Sequence, residues 1–110
     1  MQSKLGATDM DLLCHPEVKN DINNLDGSIK KRLKKILKKI KRAPELGKPL
    51  GNKGDVDLSG CMKMYFYKKK YRIVYEVLEK EKVLVWAIGK REDEVIYMDA
   101  YRRISKKKKQ

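Results

Sequence analysis

Histidine occurs once in this chain, at position 15, and cysteine twice, at positions 14 and 61. With no Cys-x-x-Cys pair and no His-rich cluster there is no ligand set for zinc or iron, so no metal and no cofactor is expected. Nowhere do apolar residues run together for long enough to span a bilayer, and the N-terminus lacks the sustained apolar segment of a signal peptide. No bilayer span and no export are therefore expected, with a cytoplasmic location and both thiols reduced, a single Cys14–Cys61 disulfide being the alternative. Acidic residues are scarce. Fifteen of them face 28 lysines and arginines, for a net charge of +13. Setting aside the tail lysines at 106–109, 24 basic residues still face 15 acidic ones, so the excess belongs to the body of the protein. A field of that sign favours a polyanionic partner: nucleic acid first, an acidic protein second, an anionic membrane third.

What is present suffices for one domain over residues 1–110. A short edge strand is expected to end near Leu13. His15-Pro16-Glu17 opens a helix, since proline costs no hydrogen bond in the first turn and an acid complements the positive helix end. Val18, Ile22 and Leu25 form its apolar stripe, and Asp26-Gly27 ends it. Ser28 then caps a second helix, whose Ile29, Leu33, Ile36, Leu37 and Ile40 repeat at helical spacing. Its other face is basic and includes Lys34, Lys38 and Lys41, candidate contacts to an RNA backbone. Ala43-Pro44 stops it. Residues 45–60, rich in glycine and without periodicity, are expected to form a long loop.

From Gly60 to Tyr97 apolar and polar residues alternate at period two in three runs, which predicts an antiparallel meander. The expected fold class is α+β, a helical hairpin packed on one face of a mostly antiparallel sheet of about four strands. Residues 95–104 are expected to form a short strand and then a helical end, with 1–8 and 105–110 disordered. Lys63, Arg72 and Arg91 lie on different runs and are expected to converge with Tyr65 and Tyr97 on one concave surface. Cations and rings on a rigid sheet suit a phosphodiester and its bases. Plainer roles stand beside this one: Arg72 and Arg91 as ion-pair partners of Glu76, Glu92 or Glu94, and Tyr71, Tyr75 and Trp86 as packing residues.

The order of these pieces resembles a known family. A helical hairpin beginning His15-Pro16-Glu17-Val18 is followed by Tyr71-Arg72-Ile73-Val74-Tyr75, Gly89-Lys90-Arg91-Glu92 and Val95-Ile96-Tyr97. In that order and spacing they are similar to the RelE branch of the RelE/ParE toxin superfamily. The resemblance implies a ribosome-associated endoribonuclease that cuts messenger RNA, held inactive by a cognate antitoxin in a hetero-oligomer. It also implies a catalytic set of Lys63, Arg72, Arg91 and Tyr97. A second lysine of the family pattern is replaced here by Tyr65, expected to contact RNA. Because the one histidine is remote from these motifs, Lys63 is the expected general base, its pKa lowered by Arg72 and Arg91. Arg72 would hold the non-bridging oxygens, Arg91 the leaving oxygen, and Tyr97 a base or a proton. The alternatives are a non-enzymatic toxin of the same fold acting on DNA gyrase, as in the ParE branch, and a basic nucleic-acid-binding module.

Overall fold

The computed structural model describes residues 10–53, 56–79, 81–90 and 95–108. Strand β1 (Asp11–Cys14) leads into helix α1 (Val18–Asn23) and helix α2 (Gly27–Arg42). A 3-10 turn at Pro44–Leu46 precedes strands β2 (Lys48–Lys53), β3 (Val56–Phe66), β4 (Tyr71–Leu78) and β5 (Lys82–Lys90), and helix α3 (Val95–Lys108) follows. The strands form one five-stranded sheet in the order β1-β5-β4-β3-β2. β1 runs parallel to β5, and the other pairings are antiparallel.

Two apolar layers sandwich the sheet. The hairpin α1–α2 packs on one face, where Val18, Ile29, Leu33 and Ile40 meet Met64, Phe66, Ile73 and Tyr75. On the other face Ile96, Ala100 and Ile104 of α3 meet Leu58, Cys61, Val74 and Ala87. The hairpin on one sheet face is thus as expected, while the sheet has five strands rather than about four and carries a second helical layer.

Three expectations are corrected. The supposed loop over 45–60 is largely strand. β2 is an edge strand, where Pro49 loses no ladder bond by lacking an N–H, and the register shift between Pro49 and Gly51 explains the missing period. Residues 95–104 contain no strand. The β-branched start of that segment is overridden by Ile96, Ala100 and Ile104, which at intervals of four bury one helix stripe. Helix α3 also continues through Lys108, against the disorder expected over 105–108, while 109–110 lie outside the described residues. The expected disorder of 1–8 lies outside the described residues.

Gly60 decides which face the site occupies. Val56 and Leu58 point into the α3 layer, and strict alternation would send Met62 and Met64 there too. Gly60 has φ +90°, a conformation costly for any residue with a Cβ, and it resets the alternation. Cys61 then joins the α3 layer and Met64 and Phe66 the α2 layer, so Lys63 and Tyr65 fall on the α3 side.

The outer edge of β5 is closed by side chains where β1 ends. Asp21 of α1 accepts from the Ile88 N–H at 3.0 Å, and Arg103 of α3 donates to the Trp86 carbonyl at 2.8 Å. The same two side chains pair with each other at 2.9 Å. This ion pair joins both helical layers and satisfies backbone groups of β5 beyond the end of β1. Farther along, the Tyr75 hydroxyl donates to the Pro44 carbonyl at 2.6 Å and presses on Gly47, where a methyl group would collide with the phenol. Burial pushes the Tyr75 phenol up to about 12, so it remains a donor throughout the working range.

Candidate active site

Strand pairing brings the expected residues onto one surface. Tyr65 of β3 lies directly opposite Arg72 of β4, and Lys63 lies opposite Val74, so all three side chains rise from the α3 side of the sheet. Helix α3 adds Tyr97, whose ring covers Arg72 with the guanidinium carbon 4.5 Å from the ring centroid. The Lys63 Nζ stands 5.1 Å from the centre of the Tyr65 ring. Two cations and two phenols are thereby collected within one patch.

The electrostatics differ from expectation at Lys63. Hydrogen bonding to Tyr65 raises its pKa above the ordinary lysine value, with Tyr97 acting in the same direction against partial burial. The anticipated lowering by neighbouring arginines is absent because the ammonium sits against phenol oxygens, which stabilise its charged form. Lys63 is therefore a fixed cation rather than a poised base.

Arg72 is 4% exposed, and its Nε has no hydrogen-bond partner. Among the described residues no carboxylate lies within ion-pairing distance of it. Glu76, the ion-pair partner considered for it, instead accepts a hydrogen bond from the Trp86 indole at 3.0 Å. A buried guanidinium with a vacant donor and an aromatic cover retains its capacity for an incoming anion.

The remaining candidates fall elsewhere. Arg91, Glu92 and Glu94 lie outside the described residues. Lys34 and Lys38 are exposed and Lys41 half-buried on α2, which packs against the opposite sheet face, so they do not share the Lys63 surface. His15 lies against Trp86, ring centres 5.8 Å apart, and takes no part in the patch. Tyr75 and Trp86 are buried packing residues. Among the described residues no three His, Cys, Asp or Glu side chains are grouped to hold a metal ion, and no helix is long and apolar enough to cross a membrane.

Comparison with known proteins agrees with this architecture. The family model for the ParE toxin of the type II toxin-antitoxin system parDE matches residues 12–95. The mRNA interferase toxin RelE of Escherichia coli K12 is 34% identical over 83 residues, covering 73% of this chain and 81% of the relative. The mRNA interferase RelE of Shigella flexneri matches to the same extent. Among solved structures, a free arginine-substituted mutant of Escherichia coli RelE superposes with a TM-score of 0.70 at 26% identity, covering 87% of this chain and 98% of that one. The toxin in the intact Escherichia coli RelBE toxin-antitoxin complex superposes with a TM-score of 0.61 at 25% identity, covering 76% and 99%. The matched span runs from β1 to the start of α3 and includes Lys63, Tyr65 and Arg72, and on this footing the chain belongs to the RelE/ParE superfamily of toxins from type II toxin-antitoxin systems, as a RelE-type member.

Proposed function

We propose that this toxin is a metal-independent endoribonuclease that cuts messenger RNA on the ribosome and so stops translation. The observation that carries the reading is the patch of Lys63, Tyr65, Arg72 and Tyr97, in which no described carboxylate neutralises either cation. Its relatives are named mRNA interferases, which supports the same substrate class here.

The reaction is attack of a 2′-oxygen on the adjacent phosphorus. A 2′-O–P bond forms, the P–O5′ bond breaks, the 2′-hydroxyl loses a proton and the 5′-oxygen gains one. Lys63 and Arg72 stabilise the charge that builds on the non-bridging oxygens, Arg72 through its planar fork of donors. The proton steps fall to the phenols of Tyr65 and Tyr97, both of which contact the Lys63 ammonium. Arg91 is assigned to the leaving oxygen on the strength of the family resemblance. Lys34, Lys38 and Lys41 contribute a positive field toward ribosomal RNA from the far side of the molecule.

The partner is a cognate antitoxin, as RelB is for RelE in the solved complex. Exposed Val95 and Met98 on α3, with Tyr101 one turn on, offer apolar anchors beside the patch, suited to a segment with apolar and acidic side chains. The cell compartment is the cytoplasm, where the ribosome is reached.

The test is cleavage of ribosome-bound message by folded Lys63→Ala, Arg72→Ala and Tyr97→Phe variants. Undiminished cutting by all three removes the mechanism. A second reading, a non-catalytic toxin acting on DNA gyrase, is favoured by the match to a ParE family model. Growth arrest with intact translation and altered DNA supercoiling would select it.

A further inference from the structure

The turn joining β3 to β4 has a backbone that its sequence does not favour. Tyr67, Lys68 and Lys69 have φ values of 52°, 55° and 63°, three consecutive left-handed residues with no glycine among them. A Cβ crowds the following carbonyl in this region, and glycine or asparagine occupies it at lower cost. Three positions that would relax with glycine or asparagine are instead filled by Tyr67, Lys68 and Lys69.

The conformation is held from both sides. The Lys70 N–H donates to the Tyr67 carbonyl at 3.0 Å. The Tyr67 ring has the Arg32 guanidinium of α2 5.5 Å from its centroid and the Lys70 ammonium at 5.8 Å. Lys68, Lys69, Lys70 and Arg32 are all exposed, and none is in an ion pair within the described residues. The turn is thus a strained, fixed cluster of cations around one ring, the kind of backbone outlier that points to use of the side chains it carries.

We propose that this hairpin tip, with Arg32, is a preformed docking site for the backbone of RNA, separate from the Lys63–Arg72 patch. The tip carries no exposed large apolar residue, unlike α3 with Val95, Met98 and Tyr101, so it suits bare phosphates rather than a peptide that needs apolar anchors. Its ring and flanking guanidinium also provide a face for an unpaired base. Only the Phe66–Tyr71 pair separates the tip from the Tyr65–Arg72 pair. Lys68 follows Tyr65 by three positions on a hairpin whose turn is fixed, so RNA held at the tip is held close to the patch. The contribution of the tip to translation arrest rests on the function proposed above; its binding of RNA does not.

The experiment uses the full chain and a fluorescently labelled single-stranded RNA with 2′-O-methyl sugars, which 2′-oxygen attack cannot cut, titrated at several salt concentrations. Replacing Lys68, Lys69 and Lys70 together by alanine is expected to weaken binding at least tenfold at low salt, about one order of magnitude, and to flatten the log–log salt dependence by about two, for three phosphate contacts of ~0.7 each. Lys68→Gly with Lys69→Gly should bind RNA more weakly yet melt at a higher temperature than the native protein, because the strain is relieved. The tip substitutions should weaken RNA binding by the same factor in a Lys63→Ala background, which loses cleavage, so docking and catalysis are read separately. Unchanged affinity and salt slope in the triple variant overturns the proposal. So does a triple variant that loses binding to polyglutamate while retaining RNA, which would assign the tip to an acidic protein.

Discussion

Arg72 lies beneath the ring of Tyr97, its guanidinium carbon 4.5 Å from the ring centre, and both side chains are buried. The ring therefore does two things, covering a buried cation and presenting a hydroxyl beside Lys63. Substitutions separate them. Tyr97→Phe retains the cover and should change stability by less than about 1.5 kcal/mol, as near-isosteric core changes do. Tyr97→Ala opens the stack and should cost about 3 kcal/mol or more, as truncation of a buried aromatic does. Urea unfolding measures both. Message cleavage should fall in both variants, and a fully active Tyr97→Phe would remove the hydroxyl from the proton steps.

Lys63 provides a test based on charge. Its pKa is raised by the hydrogen bond to Tyr65, so it stays protonated across and above the neutral range. The cleavage rate should then show no rise attributable to lysine deprotonation between about pH 6 and 9, the opposite of what a lysine base would give. Lys63→Arg, which keeps the charge, should retain part of the activity. Lys63→Ala should lose about 10²- to 10³-fold, the usual cost of removing one preorganised charge-stabilising donor. A rate that rises with pH in the native protein, with the rise abolished in Lys63→Arg, would restore the base assignment.

The helical stripe from Ile29 to Ile40, strands β4 and β5 and the part of β3 after Gly60 were legible in the sequence from their periodicity, while the start of β3 was not, because Gly60 resets its alternation. β2 was not, since Pro49 and Gly51 break the alternation of an edge strand whose place is set by pairing with β3. The start of α3 misled for the opposite reason. Val95, Ile96 and Tyr97 favour strand locally, but the helix forms because the exposed face of the sheet needs covering. At the site, period two placed Lys63 and Tyr65 together, and pairing with β4 added Arg72. The state of Lys63 was hidden because it depends on phenol oxygens brought close only by the sheet and α3. Nothing in a run of lysines discloses the left-handed backbone of Tyr67, Lys68 and Lys69.

Asp21 and Arg103 are 82 positions apart and pair across the edge of β5, a relationship with no local trace in sequence. Arg103 is almost fully buried and Asp21 largely so, and each also satisfies a backbone group of β5. Removing one partner leaves the other charge buried and a backbone group unpaired. Arg103→Met and Asp21→Asn should each cost about 3 kcal/mol or more. The double variant should lose much less than the sum, with a coupling of about 1 to 3 kcal/mol in a double-mutant cycle. Additive losses would show that the two residues act separately.

His15 makes stability depend on pH in the neutral range. Burial lowers its pKa below the ordinary value, the Arg103, Lys107 and Arg102 cations add to this, and Glu17 opposes it. Its Nδ1 accepts a hydrogen bond from the Glu17 N–H at 3.1 Å, which only the unprotonated nitrogen can do. The folded state thus prefers neutral His15, and the unfolded chain takes up its proton at higher pH than the folded one. The resulting stability is complete above the unfolded value near pH 6.5 and is lost as pH falls through the folded value. Glu17, its pKa lowered by the hydrogen bond from Arg102, is lost in a separate window below the usual carboxylate range. Thermal melts between about pH 5 and 7 should show the melting temperature falling with acidification. His15→Gln, which keeps an acceptor and does not titrate, should flatten that segment while leaving the more acidic loss in place. Parallel curves for the two proteins across the upper window would show that the slope has another source.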